Sequence, residues 1–306
     1  MLDRPSSGYA HELYAESFCE VGKPLKLKNC GGWLVERRIS SGNGSDAVGC
    51  YPFFSCRDWG ELSGDIKEIT NGSLVSVTFV TDPFCGLGIT ELSAIFPDKC
   101  EQYKTHFIID LQNSPNLTVS KHHRYYLRRS MSELCVEWLS NSEQYTDEWA
   151  SFYSSLIEKK NISGIASFSS QSLRAQLRVP SATLFRAYDS DGTVGYSVWI
   201  RDGDRAHYHL SAANSRGYKH GASYLLMHTA IEHFRAAGVH LLGLGGVPDS
   251  VDDSNLGLHR FKGGWANKTL PVYLCGKILD RARYQQLSRQ RGTTHVNYFP
   301  SYRLEV

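Results

Sequence analysis

The sequence of 306 residues holds eight cysteines, yet no two form a Cys-x-x-Cys pair. Cys19, Cys30, Cys50, Cys56, Cys85, Cys100, Cys135 and Cys275 are scattered, which argues against a metal knuckle or a disulfide framework and predicts buried reduced thiols. No apolar run approaches the length of a membrane span. The opening residues Met1 to Glu12 are polar and lack the apolar centre of a signal peptide, so a cytoplasmic location is the expectation. Nor is there an excess of one charge. A net charge of +2 excludes a wholly basic nucleic-acid binder and leaves any such contact to a local patch. At 41% hydrophobic and 21% charged residues the composition is that of an ordinary globular chain, and the length favours two domains.

The first half alternates strand-like and helix-like stretches. Strands are predicted over 32–39, 51–56, 73–80 and 105–111, with the β-branched run 73–80 the most strand-like of them. Helices are predicted over 59–69 and 90–96, the second stopped by Pro97. A loop from Pro115 passes into a helix that reaches Ser132 and carries the densest basic run of the chain, Lys121-His122-His123-Arg124-Tyr125-Tyr126-Leu127-Arg128-Arg129. A short strand 135–139 follows, then a helix 146–160 with Thr146 as its expected cap. The Ser, Asn and Glu cluster at 140–145 places the domain boundary at residue 143, giving domains 1–143 and 144–306.

The second half is plainer. Strands 182–188, 193–201 and 205–213 are joined by Asp189-Ser190-Asp191-Gly192 and Asp202-Gly203-Asp204, which are hairpin turns by chemistry and length. A helix 221–237 puts Leu226, Met227, Ala230, Ile231 and Phe234 on one face, and Gly238 ends it. Strands 239–244 and 268–278 and a helix 280–289 complete the order.

Five stretches can carry chemistry. In Arg216-Gly217-Tyr218-Lys219-His220-Gly221-Ala222-Ser223, a Gly-containing lead-in with cations precedes a helix start, where backbone N–H groups and the helix dipole favour an anion. In Arg260-Phe261-Lys262-Gly263-Gly264-Trp265, two cations in a Gly-rich turn can direct positive charge at an oxyanion. His207, His209 and Ser211 alternate on one strand face; an imidazole there can accept a proton near neutral pH, and Tyr224 can position an acceptor or protonate a leaving group. The acidic loop Pro248 to Asn255 can orient an amine, and it lacks the ligand spacing of a metal site. Lys121, Arg124 and Arg128 share a helical face with tyrosines beside them, a pattern suited to phosphates. Each has a structural alternative: a capping turn, a surface turn with inward aromatics, core histidines, a solvated loop, a solvated helix face.

Taken together, 121–131, the meander 182–213, 220–246 and 257–265 resemble the Fem-like branch of the GNAT superfamily, most strongly in the last third of the chain. The resemblance implies an α+β fold of two GNAT-like domains, each a mixed, mostly antiparallel sheet flanked by helices. It implies an N-acyltransferase that moves an acyl or aminoacyl group from an activated donor to an amine of a small-molecule, cell-envelope or secondary-metabolite precursor. By resemblance the first domain takes the acceptor and the second the donor. Lys262, in a Phe-Lys-x-Gly-Phe/Trp-like element, would be catalytic, with His209 and Tyr224. Arg216, Lys219, Gly221, Ser223 and Arg260 would hold the donor. Lys121, Arg124, Arg128, Tyr196 and Ser211 would hold the acceptor. No bound cofactor or metal is implied; acyl-CoA or aminoacyl-tRNA is the co-substrate, with tRNA a further partner. Lys219 stands where the pyrophosphate-binding loop of acetyl-CoA-dependent relatives has its first glycine, which argues against CoA. No heptad-rich stretch can form the helical arm of the staphylococcal-type members, and that argues against an extensive tRNA contact, so both donors stay open. A different class also stays open: a non-catalytic tandem-GNAT protein binding a nucleotide-linked ligand or RNA.

Overall fold

In the computed structural model, residues 7–40, 44–70, 72–113, 119–247 and 253–304 are described. The chain divides into two compact units, one of residues 1–103 with 271–306, the other of 104–270.

The first unit is organised by Leu74–Val80, six of whose seven residues are buried. Its β-branched run is hydrophobic on both faces, as a central strand requires. It pairs parallel with Ser45–Gly49 and antiparallel with the later part of Lys268–Ile278. Trp33–Arg38 and Lys23–Lys26 extend the sheet antiparallel beyond Ser45–Gly49. The helices Leu62–Thr70 and Ile89–Ile95 cover one face through Leu62, Ile66 and Leu92, which meet Leu34, Val77, Phe79 and Phe96 in one core. Val75, Ile39, Leu287 and Tyr302 form a second, smaller core with the helix Arg281–Arg291. The stretch 51–56, expected as a strand, contributes only a single bridge between Phe54 and Thr81. The Asp58 side chain instead caps the turn at Gly60 that leads into the helix.

The second unit is built on the expected meander: Ala182–Asp189, Gly192–Asp202 and Arg205–Ala213 pair antiparallel in order. Cys135–Leu139 adds to its outer edge, residue for residue against Leu184 to Tyr188. Leu241–Gly245 runs parallel to Arg205–Ala213 and antiparallel to the strand Lys99–Asp110. The helix Ala222–Ala236 is the crossover between the parallel strands. Its buried Leu226, Met227, Ala230, Ile231 and Phe234 pack on Phe185, Trp199 and Leu242. The expected cut at 143 lies inside this unit, because Cys135–Leu139 is hydrogen-bonded to the strand that follows it and Ser130 bonds the chain at 220–221.

Each unit therefore contains antiparallel strands leading to a parallel pair joined by a helix: Ser45–Gly49 and Leu74–Val80 around Leu62–Thr70, and Arg205–Ala213 and Leu241–Gly245 around Ala222–Ala236. The architecture is mixed α+β, with mostly antiparallel sheet flanked by helices. No described helix is long and apolar enough to cross a membrane.

Candidate active site

The parallel pair of the second unit stops pairing early. Its register covers only Leu241 to Gly243 against Arg205 to His207, although both strands run on, to Gly245 and Ala213. On the far side, the register of Arg205–Ala213 skips His209, where Leu210 faces Val198 and Tyr208 faces Trp199. Crevices at the carboxyl ends of diverging parallel strands, beside the start of the crossover helix, are where α/β sheets bind ligands.

Lys262 lies at that end of Leu241–Gly245. Its amine donates to the Gly246 carbonyl at 2.7 Å, and the side chain is only 8% exposed. Burial, then the positive charge of Lys104, lowers its pKa from the usual lysine range to about 7. Gly245 turns with φ +76°, and a Cβ there would lie 3.2 Å from the amine, so the left-handed turn and the close approach both call for glycine. His106 packs its ring on Gly246, and burial followed by the Lys262 charge pushes its pKa down to about 3.

The segment carrying Lys262 was expected as a Gly-rich turn. It is instead the last turn of a helix, Asp253–Gly263. Phe261 and Trp265 face inward, around His123. The His123 ring also meets Tyr224, which stacks on Tyr126 with ring centres 5.1 Å apart. Gly264 admits the imidazole: a Cβ there would fall 2.0 Å from a ring carbon. The Ser130 hydroxyl, on the same basic helix Lys121–Glu133, bonds the carbonyls of His220 and Gly221 at 2.9 Å. The N-terminal turns of the basic helix thus lie against the helix that bears Lys262, and its C-terminal half against the start of the crossover helix.

The structure separates the expected site residues into groups. Lys262, Tyr224, Gly221 and the basic helix come together. Lys121, Arg124 and Arg128 are exposed on that helix, next to Tyr125 at 61% exposure. Arg260 is exposed two residues before Lys262 on its own helix, and Ser223 is half-buried in the first turn of the crossover helix. The lead-in at 216–222 is not an open loop. It forms the short helix Ser215–His220, capped by the Asn214 side chain, and Gly221 follows with φ +70°. Arg216 is held by Asp189 at 3.0 Å and Asp191 at 3.0 Å, so it clips the hairpin turn; Lys219 is exposed.

Three expected residues belong to a different environment. Tyr196 is fully buried, donates to Glu148 at 2.7 Å and packs on Trp149 and Phe152 under the helix Thr146–Lys160. Burial, then the Glu148 hydrogen bond, raises its pKa. The Ser211 hydroxyl donates to the Tyr196 carbonyl at 2.7 Å. His209 is buried against Phe168 with its Nε2 3.1 Å from the Gln176 amide oxygen, and burial then His207 lower its pKa to about 3. An imidazole that stays neutral down to that pH is a weak base. Thr146 is not a cap; its hydroxyl donates back to the Ser142 carbonyl. Of the acidic loop, 248–252 lie outside the described residues. Among the described residues no group of three or more His, Cys, Asp or Glu can hold a metal ion. His123, Ser120, Ser130 and His106 were not singled out from the sequence; the one available signal was Ser120 three residues before a histidine at a helix start.

Residues 119–262 match the family described as acetyltransferase (GNAT) domain. Among solved structures, FemX superposes with a TM-score of 0.65 at 12% identity, over 90% of this chain and 93% of that one. The C-terminal domain of a putative lysylphosphatidylglycerol synthetase from Agrobacterium fabrum gives 0.61 at 15% identity, over 88% of each chain. L-PGS from Bacillus licheniformis gives 0.58 at 17% identity, over 91% and 95%. No curated protein sequence matches the chain significantly. Residues 119–262, which carry the splayed strands, the crossover helix, the basic helix and Lys262, match the model of the GNAT acetyltransferase domain, and the chain as a whole shares the fold of FemX.

Proposed function

We propose that the protein is an N-acyltransferase of the Fem-like kind that takes an aminoacyl group from the 3′ end of a tRNA and passes it to an amine. The observation that carries this reading is the Lys262 amine, buried at the open end of the parallel strands against the Gly246 carbonyl. The acceptor amine attacks the ester carbonyl, a C–N bond forms, and the oxygen becomes an oxyanion. Protonated Lys262 stabilises that charge in a site shielded from water. The C–O bond then breaks, and the leaving 3′ hydroxyl takes the proton released by the amine. No protein base is required for this balance.

Two features favour the aminoacyl ester over acyl-CoA. The segment 215–220, where an open pyrophosphate loop would lie, is helical, with the Gly217 and Tyr218 N–H groups bonded to Asn214, and Arg216 is held by two carboxylates. The exposed face of Lys121–Glu133 offers cations beside the exposed Tyr125, which suits a single-stranded nucleic-acid end. The acceptor is an amine on a small or carrier-linked precursor. The test is donor binding and turnover with acetyl-CoA and with charged and uncharged tRNA at stated salt. Preference for charged tRNA, with transfer lost in Lys262→Ala, supports the reading. Saturable acetyl-CoA binding with turnover replaces the donor, and binding without turnover on any donor favours a non-catalytic role.

A further inference from the structure

The carbonyl of Phe261 lies in the last turn of its helix, where backbone acceptors run out of partners. Trp265, which would normally donate to it, donates to the Lys262 carbonyl instead, as does Ala266. The vacated acceptor is met by His123 Nε2 at 2.8 Å. A carbonyl can only accept, so Nε2 carries the hydrogen. Burial lowers the His123 pKa, which keeps the ring neutral, and Nδ1 is then the acceptor for the Ser120 hydroxyl at 2.8 Å. The same hydroxyl oxygen accepts the His123 backbone N–H, and the Ser120 N–H donates to the Gly264 carbonyl. Phe261 and Trp265 flank the ring, and Gly264 leaves room for it. One imidazole thus has its tautomer set on one side and its target on the other.

We infer that His123 is a positioning residue for Lys262: with Ser120 it fixes the Phe261 carbonyl, and so holds the helix end from which the Lys262 amine reaches the Gly246 carbonyl. The kinetic part of this inference rests on the transferase reading above; the structural part does not. The titratable groups that face the Lys262 amine are Lys104 and His106 on the strand Lys99–Asp110, and its own helix carries His259 and Arg260.

The experiment titrates Lys262 by NMR of the full chain labelled at lysine Cε and Nζ, with the signal assigned by Lys262→Arg. The parent should titrate at about 7. His123→Leu fills the space without a donor. The turn loosens, water reaches the amine, and the midpoint should rise by about one pH unit or more, a tenfold gain in proton affinity. His123→Gln, whose amide can donate where Nε2 did, should leave the midpoint near that of the parent. With a competent donor, His123→Leu should lower kcat by roughly tenfold or more with little change in KM, and His123→Gln should recover most of it. A folded His123→Leu protein whose Lys262 midpoint does not move overturns the inference. Should that variant not fold, Ser120→Ala decides: it removes the tautomer lock, and a midpoint unchanged there overturns the inference equally. If the parent transfers no acyl group, the transferase reading fails while the NMR titration still tests the positioning role.

Discussion

The first unit holds seven of the eight cysteines, all but Cys135, and the second holds ten of the twelve histidines, all but His11 and His295. Their buried polar groups differ in the same sense. In the first unit the buried acidic groups are carboxylates that accept several hydrogen bonds or ion pairs. Asp46 meets Arg37 at 3.0 Å, Arg303 at 2.8 Å and the Tyr302 hydroxyl. Asp65 accepts from the backbone of Asn29 and Cys30, and these bonds outweigh burial to hold its pKa below the ordinary range. Asp82 accepts from Ser55 and from the Phe84 N–H. In the second unit the buried basic groups are nitrogen bases whose charge is suppressed: His106, His207 and His209, each at a pKa of about 3, and Lys262 at about 7. A buried charge that is fully bonded belongs to the architecture. A buried amine brought to neutrality near physiological pH is matched to proton and charge chemistry. Two units that share a helix-joined parallel pair thus differ in the kind of ionisable group they bury.

The largest expected effect is on Lys262. Lys262→Met should reduce acyl transfer by about 10²- to 10³-fold, the usual loss when an oxyanion-stabilising group is removed, and should make the protein more stable at pH 7 and below. The sign follows from the lowered pKa. Between about 7 and the unfolded value of 10.5 the unfolded chain holds the proton and the native chain does not, so stability rises with pH there. The slope lost in Lys262→Met approaches ~1.4 kcal/mol per pH unit, read from denaturant melts across pH 7 to 10. In Lys262→Arg, which stays charged, the fall of kcat/KM above pH 7 should vanish. A parent whose kcat/KM does not fall above pH 7 would show that the cation is not what the reaction uses.

Mild acid should distinguish the two units next. A buried neutral histidine contributes stability above its unfolded pKa of 6.5, and that contribution is lost as pH falls toward 3. At pH 5 each such histidine has given up about 2 kcal/mol. The Asp65 contribution is lost only below 3.8, so the first unit is spared in this window. Hydrogen exchange at pH 7 and pH 5 should therefore show protection lost in 104–270 first; simultaneous loss would erase the contrast.

Smaller effects sharpen it. Gly264→Ala places a methyl where the His123 ring lies and should destabilise the protein by about 1–3 kcal/mol through overpacking, with transfer reduced as well. Asp65→Asn should cost a similar ~1–3 kcal/mol by weakening the acceptor for two buried N–H groups, with kcat/KM unchanged. Smallest is thiol reactivity: the exposed Cys19 and Cys135 should be alkylated quickly, while Cys50, its thiol pushed up to about 12 by burial, stays protected until unfolding.

The sequence made legible what periodicity and turn chemistry encode. The meander 182–213, the crossover helix with Gly238 at its end and the strand 74–80 stand where pattern placed them. It misplaced segments in which glycine suggested a loop or turn and tertiary packing made a helix, as at 215–220 and 260–263. Lys262 stood out only through the resemblance of its Phe-Lys-Gly-Gly-Trp element, and its burial against Gly246 shows only in the fold. His123 did not stand out, because it sits in a run of cations and only folding turns it toward Phe261, some 138 residues away. Tyr196 and His209 show the converse: alternation placed them on a strand but could not say which face a helix would cover.

The discontinuous make-up of the first unit bears on how the protein is synthesised. The second unit is one unbroken stretch, 104–270, while the first waits for 271–306. Leu74–Val80 meets its antiparallel partner, and Asp46 meets Arg303, only after the whole second unit has left the ribosome. In vectorial synthesis the part made first is the part finished last.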